Sequence, residues 1–212
     1  RVHCTTKWLN GVTVLLKDSS LIAQVRELPF VTYVQFTGIT NENNTALNAP
    51  SKVNAAETDY GVAAMQLDQM NGRILHQHGY RGENIHVAVL DAGFRNVNTN
   101  PAFNTLRTEG RLLGTKDFVN PQSNIYLEDA HGAYVLSTMA AEIDATYVGT
   151  APEASYLLIR TEAAAGEYLC EPDFWISGIE YADSAGVDLA TTSLGYTTFD
   201  DSTMNYTYAD MN

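Results

Sequence analysis

The sequence predicts an α/β protein: a mostly parallel sheet with helices on both faces, preceded by a small strand–helix–strand unit. Three observations lead there. The short apolar run at 87–90 reads as a strand buried on both faces, as in a parallel sheet covered by helices; 156–159 reads as a second buried strand and 187–192 as a third strand. Helical stretches separate those runs, and strand–helix alternation argues for crossover connections. Two of the runs pass at their carboxyl ends into residues that can carry chemistry, Asp91 in one case and Ser193 in the other. Open α/β sheets place ligands at that edge.

The totals agree with a globular chain. It has 212 residues, 45% of them hydrophobic and 17% charged, enough for one large domain with a small appendage and a sizeable core. Its net charge of −13 argues against nucleic-acid binding, which needs a basic face. No run of 18 apolar residues exists, so no membrane span is expected. Cys4 and Cys170 are the two cysteines, without a C-x-x-C pair. One bridge or two free thiols both remain open, and the compartment is not fixed by them. The chain opens on Arg1 and stops at Asn212 in mid-pattern, so a fragment is expected.

Taken in order, residues 1–37 form a unit of their own. Positions 12–16 read as a strand. Asp18 or Ser19 caps a helix whose apolar face is Leu21, Ile22, Val25 and Leu28, and Pro29 ends it. Positions 30–36 read as a second strand. A unit this small buries little surface alone and must lean on something. Residues 38–58, rich in Asn and Thr and without periodicity, read as a linker with a processing site. Residues 59–212 carry the larger domain. A helix is expected over 61–75, with Met65, Leu67, Met70 and Ile74 apolar, then the strand ending at Asp91. A loop region of some forty residues follows, then helices over 131–143 and 174–185 around the second strand.

His131 opens its helix and Gly132 follows it. Glycine there costs about 1 kcal/mol relative to alanine, so its presence implies close approach of another backbone or a substrate. An acid at a strand end and a histidine at the next helix start, on one sheet edge, can meet. The carboxylate would accept a hydrogen bond from one ring nitrogen, fix the tautomer and free the other nitrogen as a base. Among the remaining candidates, His76-Gln77-His78 has poor spacing for shared ligation, and Glu128-Asp129 and Asp200-Asp201 read as solvated acids.

Asp91-Ala92-Gly93 resembles the Asp-Thr/Ser-Gly motif of the subtilisin-like serine proteases. His131-Gly132-Ala133-Tyr134-Val135 is similar to their His-Gly-Thr-x-Val motif, with Ala133 in place of threonine. Gly149-Thr150-Ala151-Pro152-Glu153-Ala154 and Ser193-Leu194-Gly195 resemble two further motifs in the family's order. The resemblance implies that Asp91 and His131 are catalytic, and that Ser193, Leu194 and Gly195 bind substrate as a cleft wall. It implies a serine endopeptidase precursor, secreted or in the cell envelope, that needs no cofactor. Its partners would be peptide or protein substrates and its own propeptide, represented by residues 1–37. No segment matches the family's Gly-Thr-Ser-x-Ala/Ser-x-Pro nucleophile motif, and the oxyanion-hole asparagine is also expected beyond Asn212. Ser193 sits at a cleft-wall position and is rejected as the nucleophile. No metal site is expected: the 142–147 segment is short where some subtilisins carry a calcium loop. The alternatives are a truncated or degenerate non-catalytic peptide binder and an unrelated nucleotide-binding domain, the latter without a glycine fingerprint.

Overall fold

In the computed structural model, which describes residues 1–37 and 60–210, the N-terminal unit is a hairpin plus one helix. Strands β1 (Val2–Thr6) and β2 (Gly11–Val14) pair antiparallel, and helix α1 spans Leu21–Arg26. The expected strand over 30–36 does not form, so the unit is strand–strand–helix rather than strand–helix–strand. Phe30 and Tyr33 stay 77% and 73% exposed with no ladder to join. β1 escapes sequence reading because Val2-His3-Cys4-Thr5-Thr6 holds only two apolar residues. Asp18 accepts a bond from Ser20 N at 2.9 Å, and the helix starts later, with Ser20 at its cap. α1 buries none of its residues. The expected linker at 38–58 lies outside the described residues.

In the larger unit the expected helix over 61–75 is broken into α2 (Ala64–Gln69) and α3 (Gly72–Gln77). The break is Asn71, which takes a left-handed φ of 54°, a conformation asparagine tolerates better than most residues. Only Leu67 of the four apolar positions proposed for that helix is buried; Met65, Met70 and Ile74 are exposed. Strand β3 (His86–Asp91) follows. The stretch read as loop contains a short 3₁₀ turn, α4 (Asn104–Thr108) and strand β4 (Leu112–Asp117). β4 is an edge strand, half exposed and interrupted by Gly114, so its sequence lacks an apolar run. Then come α5 (His131–Ala140), a small hairpin of β5 (Glu142–Ile143) and β6 (Tyr147–Val148), β7 (Ser155–Arg160), α6 (Glu171–Ser184) and β8 (Leu189–Thr192).

β4, β7, β3 and β8 form one sheet in that order, and every pairing in it is parallel. Alternate residues face opposite layers. Val87, Val89, Tyr156 and Leu158 pack with Ala133, Leu136 and Ala140 of α5 and with Phe94 and Phe103. Ala88, Leu90, Leu157 and Ile159 pack on the other face, against Ala182 of α6. The fold class read from sequence holds: an incomplete α/β layer structure with helices on both faces. Leu90, Leu158 and Ile159 are wholly buried, and each contributes roughly 1.5–3 kcal/mol.

The N-terminal hairpin leans on α6. Glu180 accepts hydrogen bonds from the Thr6 hydroxyl and from the backbone N–H groups of Lys7 at 2.6 Å and Trp8 at 2.7 Å. Thr13 donates to Asp173 at 2.8 Å, and His3 stacks on Phe174 at 4.7 Å. Cys4 and Cys170 are both free thiols, buried in one small cluster with Phe174. Among the described residues no helix is long and apolar enough to cross a membrane.

Candidate active site

Asp91 is the last residue of β3, flanked on either side by β7 and β8, and is fully buried. One of its oxygens accepts the N–H of Ala92 at 2.7 Å. His131 is the first residue of α5, which packs on β3 through Ala133 and Leu136. That packing delivers the ring to the carboxylate. His131 Nδ1 lies 2.8 Å from Asp91 Oδ1 and 3.1 Å from Oδ2, so Nδ1 carries the proton and donates it. The ring is otherwise half exposed, which leaves Nε2 to the open side. Asp129 accepts the His131 backbone N–H at 2.7 Å and places a negative charge at the helix start, where the dipole favours it.

Two glycines make this meeting possible. A Cβ on Gly132 would fall 2.5 Å from the Gly93 carbonyl oxygen and 2.8 Å from Asp91 Cβ; one on Gly93 would fall 2.6 Å from the Asp129 carbonyl oxygen. The close approach expected at Gly132 is therefore made by the backbone of the Asp91-Ala92-Gly93 turn. Burial pushes the Asp91 carboxyl above the usual carboxylate range, against the His131 and Ala92 bonds that hold it down. The Asp91 bond raises His131 above its ordinary value, with Asp129 and Glu162 adding to the effect. An imidazole held in this way can act as a base through its free nitrogen.

No family model matches the chain. The crystal structure of MycP1 from Mycobacterium smegmatis is similar over 58% of this chain and 34% of its own, at 19% identity and a TM-score of 0.46. The major intracellular serine protease of Bacillus subtilis (strain 168) is 33% identical over 127 residues, 55% of this chain and 36% of its own length. Subtilisin E of the same organism is 29% identical over 199 residues, 92% of this chain. Over most of its length the chain is similar to the subtilisin-like serine proteases. It spans 44% of the length of subtilisin E, less than half of the curated relatives named here.

Ser193, Leu194 and Gly195 leave the sheet from β8, the strand beside the one that ends in Asp91. Ser193 and Gly195 are exposed and no regular structure holds them. The same carboxyl edge therefore gathers all five of the subtilisin-like motif residues proposed from sequence. It also contains residues that sequence reading did not single out. Arg160, the last residue of β7 and 5% exposed, donates to the Ala92 carbonyl at 2.9 Å and lies 3.2 Å from Asp117 and 3.4 Å from Glu128. It fixes the turn after Asp91 from below. Glu128, read as a solvated acid, is instead buried and paired with this arginine. Glu162, two residues past Arg160, is pushed up to about 7 by burial and by the charges of Glu167 and Asp91. An arginine closing a buried strand was the one available signal for this network. His76 is held by the Tyr60 hydroxyl at 3.2 Å and the Thr150 carbonyl at 3.0 Å.

Proposed function

We propose that the protein carrying this sequence is a subtilisin-like serine endopeptidase precursor. It hydrolyses peptide bonds by acyl transfer to a serine supplied by sequence after residue 212. The observation that carries the reading is the 2.8 Å bond from His131 Nδ1 to the fully buried Asp91. In this reading Asp91 orients the ring and stabilises the imidazolium, and His131 Nε2 takes the serine proton and returns it to the leaving amine. Ser193, Leu194 and Gly195 pair with the substrate backbone as an added strand. Residues 1–37 act as part of an inhibitory propeptide seated on α6, and cleavage within 38–58 releases them. The protein is secreted or held in the cell envelope.

The test is expression of the gene through its downstream serine segment, followed by peptide hydrolysis and labelling with a serine-directed phosphonate. Activity lost in His131→Ala and a label on a serine beyond residue 212 support the reading. The 212-residue chain alone is expected to be inactive, since loss of a nucleophile costs on the order of 10⁶ in turnover. Phosphonate-sensitive hydrolysis by that chain would place the serine within it. Peptide binding by the extended protein without hydrolysis would favour a non-catalytic subtilase.

A further inference from the structure

The two cysteines of the sequence lie far apart along it, and the fold brings them together, one from each unit. Cys4 is on β1 of the N-terminal hairpin, and Cys170 is the N-cap residue of α6. Both are buried, and they share one small cluster with Val119, Ala163 and Phe174. β1 tracks along the helix. The Cys4 thiol donates to the Asp173 carbonyl at 4.0 Å, the Ser177 hydroxyl donates to the Thr5 carbonyl at 3.3 Å, and Glu180 takes the Thr6 hydroxyl. His3 stacks on Phe174, which follows Cys170 by about one helical turn and shares its face. Neighbouring side chains of a strand normally point to opposite faces. Here the hairpin register slips between Val2 and Cys4, and both His3 and Cys4 reach the helix. Cys4 is thereby held over the first turn of α6, which Cys170 opens.

As thiols the two residues gain little from this place. A thiol is a weak donor, and 4.0 Å makes a weak bond. Burial pushes the Cys170 thiol up to about 12, with the charges of Glu171 and Asp173 and the Cys4 sulfur adding to the rise. Each sulfur is thus within reach of the other. Among the described residues no group of three His, Cys, Asp or Glu is placed to hold a metal ion, so the pair is not part of a metal site. An S–S bond removes both ionisable protons and leaves the cluster apolar.

We propose that Cys4 and Cys170 form a reversible disulfide that fastens the N-terminal hairpin to α6. Its consequence rests on the reading of residues 1–37 as part of a propeptide: after cleavage within 38–58 they stay attached until the bond is reduced. The oxidant is a small disulfide, RSSR. One cysteine thiolate attacks it, forms a mixed disulfide and releases RS⁻. The other cysteine loses its proton, attacks the protein sulfur of that mixed disulfide and releases the second RS⁻. Two thiols become one S–S bond, and RSSR becomes two RSH. The hairpin gives access, because it rests on α6 through few bonds while α6 packs on the sheet through its own core. In the secreted setting proposed above the oxidised form prevails.

The experiment uses the extended protein with its serine segment, equilibrated with oxidised and reduced glutathione over a series of ratios. Free thiols are capped with iodoacetamide, and the protein is digested with trypsin without reductant. Cys4 falls in fragment 2–7, and Cys170 in the fragment that begins at residue 161. At oxidising ratios the two fragments are expected as one linked species, lighter by two hydrogens than their sum; at reducing ratios they are expected apart and capped. Protein cut within 38–58 should keep residues 1–37 on a denaturing gel and lose them once dithiothreitol is added. In Cys4→Ala, and equally in Cys170→Ala, they should be lost without it. Separate fragments at every ratio, capped or carrying glutathione, overturn this inference alone. A linked pair in a protein that cleaves no peptide supports the bond and overturns the endopeptidase reading instead.

Discussion

The carboxyl edge of the sheet and the N-terminal unit are held in opposite ways. At the edge, Ala88, Val89, Leu90 and Asp91 have no exposed surface, and the two central strands, β3 and β7, are covered on both faces. In the N-terminal unit Trp8, Phe30 and Tyr33 are mostly exposed, α1 buries nothing, and a single acid on α6 takes three of the contacts. One region is stabilised by its own core; the other borrows a neighbour. The proposal that residues 1–37 are a removable inhibitory segment expects the dyad to survive their loss, and this division of contacts is consistent with it.

The sharpest way to break that comparison is at the dyad. Asp91→Asn keeps the shape of the side chain but turns an amide toward Nδ1, so the ring takes the wrong tautomer. In the extended protein kcat is expected to fall about 10⁴-fold with KM little changed. The residual activity should extend to lower pH, because the Asp91 bond that raises His131 is gone. Circular dichroism should be unaltered. Loss of the sheet signal with no specific loss of rate would make Asp91 a structural residue only.

Arg160→Met tests the support beneath the turn. The guanidinium serves Asp117 and Glu128, both buried, and the Ala92 carbonyl. Removing it leaves two buried carboxylates uncompensated, a loss of about 3–5 kcal/mol. Denaturant unfolding should show that loss in the sheet domain. A change under 1 kcal/mol would mean that the acids are already satisfied by the Val119, Asn120 and Ser123 donors around Asp117.

How much of this was legible follows the same division. β3 and β7 announce themselves because strands buried on both faces need unbroken apolar runs, and the boundaries of β3, β7, β8, α5 and α6 all fall within three residues of the reading; β8 is an edge strand with no buried residue. Asp91, His131 and Ser193–Gly195 were found by motif and lie at the expected edge. β4 was missed because an edge strand half open to water needs no apolar run. The expected strand at 30–36 has the right composition but no partner among the described residues, and ladder pairing is a tertiary fact that propensity cannot supply. The Arg160 network and the burial of Glu162 were invisible for a related reason. A charged residue reads as surface until the fold shows what it is buried against.

A smaller effect separates the two regions by pH. Glu171, fully buried at the start of α6, is pushed up to about 8 by burial, against the two backbone N–H bonds that lower it. Its ordinary value is 4.5. Between those values the native state holds a proton that the unfolded chain has released, so stability is full below the lower value and falls as pH rises toward 8. Glu162 adds to the same slope up to about 7. Glu171→Gln, whose carbonyl can still accept the Ala163 N–H, should flatten the decline in Tm between pH 5 and 8 without abolishing it. An unchanged slope would show that Glu171 is not protonated in the native state.

The smallest effect is expected at Glu180, where α6 meets the N-terminal hairpin. Its carboxylate is held low by the Thr6 hydroxyl and the Lys7 and Trp8 N–H groups, against burial that raises it. It is only half-buried, so it adds little to global stability. Its job is local: it closes the turn of the β1–β2 hairpin, whose N–H groups have no ladder partner there. In Glu180→Ala, hydrogen exchange at Lys7 and Trp8 should rise toward the unprotected rate, while the amides of β3 and β7 keep their protection. Uniform loosening of both regions would mean that the hairpin is part of the same cooperative unit as the sheet. Loss confined to the hairpin would show that it opens alone, on a helix that remains folded beneath it.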